Sequence, residues 1–406
     1  MSFIWSKKGK AIKYPLASST WDNAELEAIQ RVINSNAFTM GGNVKKFEEH
    51  FAKFTGSKYC VMVNSGSSAN LLAVASLFYR KTKNLNRGDE VIVPAVSWST
   101  TYYPLYQYGL KLKFVDVDIN TLNYDLDELA AVVTKDTKML LTVNLLGNPN
   151  DFEAINNIIE SKDIILMEDN CESMGAEFQN KQAGTFGLLG TYSTFFSHHI
   201  STIEGGMVVT DDEELYHILL AIRAHGWTRD LPKENKVSGV KSERYFDESF
   251  KFVLPGYNVR PTEITGALGI EQLKKLPDFV RIRRKNACVF KELFNDNPYF
   301  IIQQEVGKSS WFGFSFIIRD SKSLNRDDVV DRLTSAGIEC RPIVSGNFTK
   351  NKVIEWFNYE ICGSLKNAEL VDKNGFFVGN HHFDVRQQLV FLKETLEEAV
   401  KDALTA

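Results

Sequence analysis

The chain has 406 residues, with 47 Lys and Arg against 51 Asp and Glu and a formal net charge of −4. Both signs are mixed, which argues against a nucleic-acid binder or a binder of anionic membranes, and 44% hydrophobic with 24% charged residues describes a globular chain with a large core. No apolar run reaches about 18 residues. Stretch 1–19 ("MSFIWSKKGKAIKYPLASS") lacks the apolar run and cleavage site of a signal peptide. Five scattered cysteines (60, 171, 288, 340, 362) form no CxxC pair, so a cytoplasmic, metal-free protein with reduced thiols is expected.

Residues 22–35 ("DNAELEAIQRVINS") read as an amphipathic helix capped by Asp22. "YCVMVNSGSSANLLAVASLF" reads as strand, Ser/Gly turn and apolar helix. "DEVIVPAVSWSTTYYPLYQYG" repeats that order, with a buried strand at 90–93 and a helix after Trp98. Strands follow at 112–118, 139–147 and 164–173, with a helix over 150–161, and "GLLGTYSTFF" and "GGMVVT" add two more. Continuous apolar strands alternating with helices predict an α/β fold with a mostly parallel sheet between helices. A long helix is expected from near Pro261, opened by that proline and with a bend at Pro277. Beyond it, 309–320 and 337–344 around the helix "NRDDVVDRLTSA" suggest a smaller α+β domain. The chain is accordingly divided at 1–275 and 276–406.

Ligands of open parallel sheets sit outside the carboxyl ends of the strands, and five polar stretches fall there. In "NSGSSAN" (64–70), the amides of Gly66, Ser67 and Ser68 suit phosphate at a helix N-terminus, or form an ordinary serine-capped turn. Trp98 in "PAVSWST" could stack on a flat ring or simply pack. In "LMEDNCES", Glu168 and Asp169 follow a strand directly, as caps or as a carboxylate for a protonated ring nitrogen, and one lone cysteine without histidines makes no metal set. The fourth stretch, "TYSTFFSHHISTIEGGMVVTDD" (191–212), carries His198 and His199 but no lysine. The fifth, "PGYNVRPTEITGALG", carries Asn258 and Arg260, and His225 lies between these last two. A phosphate cradle, a flat aromatic, a carboxylate and a polar loop together describe a site for pyridoxal phosphate.

The order of these stretches resembles the sugar aminotransferase (DegT/DnrJ/EryC1/StrS-like) family of fold-type I pyridoxal-phosphate enzymes. "NSGSSANLLA" is similar to its phosphate loop, "VIVPAVSWSTT" to its ring-stacking segment and "MEDNCESMGA" to its ED-x-x-x-x-x-GA motif. The resemblance gives Asp169 to the pyridine nitrogen, and it puts Glu172 where most members have glutamine. Gly66, Ser67, Trp98, Ser193 and Asn258 of the partner subunit would complete a cofactor site in a homodimer. The family's Schiff-base lysine falls five residues after a phosphate-binding serine, and five from Ser193 is His198.

That exchange marks the family's sugar 3-dehydratases, and the scattered cysteines match the branch without an iron–sulfur cluster, which acts on a GDP-sugar. Imidazole can move protons but forms no stable imine, so the cofactor would be held non-covalently. The resemblance implies that L-glutamate converts pyridoxal to pyridoxamine phosphate, giving 2-oxoglutarate. It further implies that the amine joins the C4 ketone of GDP-4-keto-6-deoxy-D-mannose and that His198 removes a methylene proton. The C3 hydroxyl then leaves as water, and hydrolysis gives GDP-4-keto-3,6-dideoxymannose and ammonia, for colitose-type sugars of O-antigen. With an unperturbed pKa of about 6.5, histidine suits a base at neutral pH. His225 is expected to assist leaving-group protonation or donor binding, or to be structural; His199 is read as a neighbour, and His50, His217, His381 and His382 as without function. The alternatives are an aminotransferase making a 4-amino sugar and a non-catalytic binding protein on the same fold.

Overall fold

The computed structural model describes residues 11–160 and 162–405. Residues 1–10 of the opening stretch and residue 161, at the end of the expected 150–161 helix, lie outside that description.

Eight strands form the larger sheet, in the order Tyr59–Val63, Gly206–Thr210, Leu189–Ser193, Ile165–Asp169, Thr137–Val143, Glu90–Pro94, Lys111–Val115 and Tyr359–Ile361. Gly206–Thr210 runs antiparallel to both neighbours, and every other pairing is parallel. The central strands are buried on both faces, as the continuous apolar runs require. Helix Gly66–Phe78 is apolar nearly all round because it is enclosed by the sheet and by helix Glu213–Arg223. Helix Asn23–Ser35 opens on Asp22, with Glu25 completing a reciprocal cap.

Three expectations are corrected. The strand expected over 164–173 ends at Asp169, where a turn takes over. The strand expected over 139–147 stops at Val143, and 145–147 form a tight turn with Leu146 at φ 53° and Gly147 at φ 92°. Pro261 does not open the long helix. Thr262 caps it, its Oγ1 accepting from the Thr265 amide at 3.4 Å, and it runs Glu263–Phe294; the Glu263 carboxylate accepts the amides of Gly41, Asn43 and Val44 at 2.9–3.0 Å.

This helix continues through Pro277 and joins two cores. Ile270, Leu273, Leu276, Phe279 and Val280 pack under the large sheet. Ala287, Val289, Phe290 and Phe294 pack with a four-stranded antiparallel sheet, ordered Phe300–Ile302, Gly313–Ile318, Gly375–Gly379 and Cys340–Arg341. Tyr14 is buried in this second core, while Tyr359–Ile361 has crossed to the edge of the first sheet.

Candidate active site

Four strands of the large sheet, Tyr59–Val63, Glu90–Pro94, Ile165–Asp169 and Leu189–Ser193, run in the same direction and deliver their carboxyl ends to one edge. Gly66, Trp98, Asp169 and Ser193 all stand there. Gly66 needs to be glycine, since a Cβ would fall 2.6 Å from Ser193 Cβ and 3.1 Å from Cys171 Sγ. Gly206 permits the same close approach from the far side, its Cβ position lying 2.3 Å from the Ser65 carbonyl oxygen. Ser65 caps the following helix through the amide of Ser68 at 3.1 Å. The expected three-amide cradle therefore reduces to Gly66 and Ser67, and Ser67 is exposed.

Asp169 is 5% exposed. Its Oδ2 accepts from Asn70 Nδ2 at 2.8 Å and Thr101 Oγ1 at 2.9 Å, and its Oδ1 from the Cys171 amide at 3.1 Å. Thr191 in turn donates to Asn70 Oδ1 at 2.6 Å. The sequence reading missed Asn70, Thr101 and Thr191. Spacing was the available signal: Asn70 is one helical turn from Gly66, Thr101 one turn from Trp98, and Thr191 shares a strand face with Ser193. Glu168 separates from its neighbour, binding the amides of Gly184, Phe186 and Gly187 at 2.6–2.7 Å, so it secures a loop. Trp98 precedes helix Ser99–Gln107 and is 58% exposed, so it is no core residue.

Glu172 is half-buried, and its Oε2 accepts from the Leu146 amide at 3.0 Å. Burial pushes its pKa up to about 7, the Leu146 amide opposes that rise, and the negative charge of Asp169 adds to it. A carboxyl raised in the folded state is more stable there while protonated. That contribution is complete below the unfolded value near 4.5 and disappears as pH climbs through about 7. Glu172→Gln keeps an acceptor for Leu146 and cannot ionise. Denaturant unfolding from pH 5 to 8 should show wild type losing stability relative to this variant as pH rises, and parallel curves would refute the shift.

His198 is half-buried, its ring centroid 5.9 Å from Phe195 and 5.3 Å from Phe312. Its Nδ1 is buried without a hydrogen-bond partner. Burial, with the Arg283 guanidinium second, holds its pKa down to about 4, so the ordinary value assumed from sequence does not apply. The imidazole stays neutral, with a nitrogen lone pair available, throughout the neutral range. His199 is fully buried, with its Nε2 3.2 Å from the Ser310 carbonyl oxygen.

His225 and Asn258 form a second group. Their segments pair, with an antiparallel bridge between Ala224 and Asn258 and the His225 amide 2.6 Å from the Tyr257 carbonyl oxygen. His225 takes a left-handed φ of 63° and packs 4.6 Å from Trp227. The Asn64 amide donates to the Val259 carbonyl at 3.0 Å, which brings this group beside the Gly66 turn. Asn258 is exposed and accepts from Arg260 Nε at 3.1 Å. Among the described residues no three His, Cys, Asp or Glu side chains gather as a metal site, and no helix is long and apolar enough to cross a membrane.

A sheet edge of this kind, with a glycine cradle, an anchored aspartate and an exposed tryptophan, belongs to fold-type I enzymes, and the comparisons agree. The DegT/DnrJ/EryC1/StrS aminotransferase family matches residues 19–381, and the chain belongs to that family. It is 64% identical over 387 residues to GDP-4-keto-6-deoxy-D-mannose 3-dehydratase of Escherichia coli O55:H7, covering 95% of this chain and 100% of that protein. The Yersinia pseudotuberculosis protein of the same name is 63% identical over 388 residues, covering 95% and 99%. A crystal structure of a GDP-4-keto-6-deoxymannose-3-dehydratase, with a trapped PLP–glutamate geminal diamine, superposes with a TM-score of 0.94. It is 64% identical and covers 95% of this chain and 100% of that one.

Proposed function

We propose that the chain is a pyridoxal-phosphate-dependent dehydratase that removes the C3 hydroxyl of GDP-4-keto-6-deoxy-D-mannose, with L-glutamate as amino donor. The single observation that carries this is the half-buried imidazole of His198, its Nδ1 without a hydrogen-bond partner, at the strand-end site where the family has its lysine. High identity over almost the whole of two dehydratases supports it.

The residues present fit the cofactor. The cradle kept open by Gly66, where a Cβ would collide with Ser193, suits a phosphate, offered by the Gly66 and Ser67 amides and the Ser193 hydroxyl. Asn258 of the partner subunit would add to it. The exposed Trp98 suits a flat ring, and Asp169, fixed by three donors, suits the ring nitrogen. Glu172, with its proton affinity raised by burial and by the nearby Asp169 charge, would line the same site. Bound there, the cofactor would supply an amine-accepting aldehyde and a ring that withdraws electrons.

The chain's own contribution is proton management. Asp169 would hold a proton on the ring nitrogen, and its three donors fix the carboxylate in place. His198, neutral at working pH, takes the proton that must leave carbon, and that proton is the one the departing C3 oxygen needs to leave as water. With no lysine in the loop, the nitrogen is lost as ammonia and the sugar keeps its C4 ketone.

A homodimer with shared sites is part of this proposal. Tyr245, Phe246, Phe250 and Phe252 are exposed beside the His225–Asn258 pairing, an apolar surface of the kind that interfaces cover. We also place the chain in the cytoplasm, and divide it into two units inside the long helix. The test is glutamate-dependent turnover of GDP-4-keto-6-deoxy-D-mannose with pyridoxal phosphate, measured as 2-oxoglutarate and ammonia in equal amounts. Glutamate that yields no 2-oxoglutarate would overturn the reading.

A further inference from the structure

The proposed chemistry uses one histidine of the pair and leaves His199 without a task. His199 Nε2 lies 3.2 Å from the Ser310 carbonyl oxygen. A carbonyl only accepts, so Nε2 carries the hydrogen and donates, and Nδ1 is the buried nitrogen without a partner. Ser310 belongs to the segment 309–312, which leads into strand Gly313–Ile318 of the second sheet.

That segment is held from two other sides. Ser310 and Phe312 donate their amides to the carbonyls of Gly147 and Leu146, each at 2.9 Å, and Ser309 Oγ donates to Gly147 at 2.8 Å. Arg283 Nη1 donates to the Phe312 carbonyl at 3.1 Å and to Asn380 at 2.8 Å. Trp311 between them sits at φ 50°, a conformation a tryptophan keeps only when its surroundings impose it. The Phe312 ring is thereby placed against both imidazoles, 5.3 Å from His198 and 5.8 Å from His199.

His198 has no partner at Nδ1, the nitrogen through which a carboxylate or carbonyl commonly orients a histidine base. Besides the Phe195 backbone, its ring angle is set by packing against the Phe195 and Phe312 rings. We propose that His199 is a positioning residue: its bond to Ser310 fixes the Phe312 ring, and that ring sets where the His198 imidazole can stand. The inference rests on the base assigned to His198 above, and goes beyond it in giving the second histidine a role in catalysis.

Three variants test it on the cofactor-loaded protein. His199→Phe keeps an aromatic ring and loses the donor, His199→Gln keeps a donor of similar reach, and Phe312→Leu removes the flat wall. A displaced base costs about ten- to a hundredfold in rate. His199→Phe and Phe312→Leu should therefore lose that much kcat, with KM for glutamate and for the GDP-sugar nearly constant, and His199→Gln should recover most of it. Crystal structures of wild type and His199→Phe supply a readout independent of turnover, with one His198 ring orientation expected in the first and a shifted or split ring in the second. Wild-type kcat in His199→Phe, or an unmoved His198 ring, would overturn the inference. If His199→Phe does not fold, His199→Gln and Phe312→Leu decide it by the same kcat and structural comparisons. A wild-type protein that forms no dehydrated sugar would instead refute the functional reading, while the crystallographic comparison would still judge the positioning.

Discussion

His198→Asn is expected to lower dehydration by about a hundred- to ten-thousandfold, the range a general base supplies, while the protein still binds its cofactor. Asparagine is smaller than histidine and polar, and it has no nitrogen lone pair to take a proton. His198 is held neutral by burial and by Arg283, so the exchange leaves the local charge unchanged. The amide must find partners between Phe195 and Phe312, at a cost of about 1–3 kcal/mol in stability. Steady-state turnover, set beside cofactor titration by absorbance, separates the two effects. A variant that turns over normally would remove His198 from the mechanism.

The second large effect is expected from Asp169→Asn. An opposite charge within a few ångströms raises the pKa of a cationic nitrogen by about one to three units, so its loss should cost about ten- to a thousandfold in the protonated ring and in turnover. Asparagine also cannot satisfy the aspartate's surroundings. Asn70 and Thr101 donate to one carboxylate oxygen and Cys171 to the other, and an amide has one oxygen to offer. One donor faces an NH2 group, which destabilises the fold by about 1–3 kcal/mol. Activity and thermal unfolding measured together should both fall. A stable, fully active variant would show that the carboxylate is not needed.

Legibility in the sequence follows how far apart the interacting residues are. Gly66 and Trp98 follow a strand within a few residues, and Asp169 and Ser193 end one, so a local pattern places them on one sheet edge. Asn70, Thr101 and Thr191 were within reach of the same reasoning, because helical and strand spacing puts them beside those residues. Phe312, Ser310 and Arg283 were not. They come from the segment leading into the second sheet and from the long connecting helix, and no periodicity near residue 198 encodes their approach. The direction of Gly206–Thr210 was also hidden, since a strand buried on both faces reads alike parallel or antiparallel. Tyr359–Ile361 is short and exposed, so nothing in its composition predicts its place on the large sheet. The turn at 145–147 was masked by apolar residues that continue the strand pattern, although Gly147 with φ 92° is the residue type such a turn selects.

The fate of the amino nitrogen tests the central claim most directly. Glutamate labelled with 15N, GDP-4-keto-6-deoxy-D-mannose, pyridoxal phosphate and the enzyme are combined, and the sugar product and the ammonia are analysed by mass. The account predicts that the label leaves as ammonia and that the GDP-sugar, free of nitrogen label, has one oxygen atom fewer than the substrate. A GDP-sugar that retains 15N at C4 would contradict it and make the protein an aminotransferase.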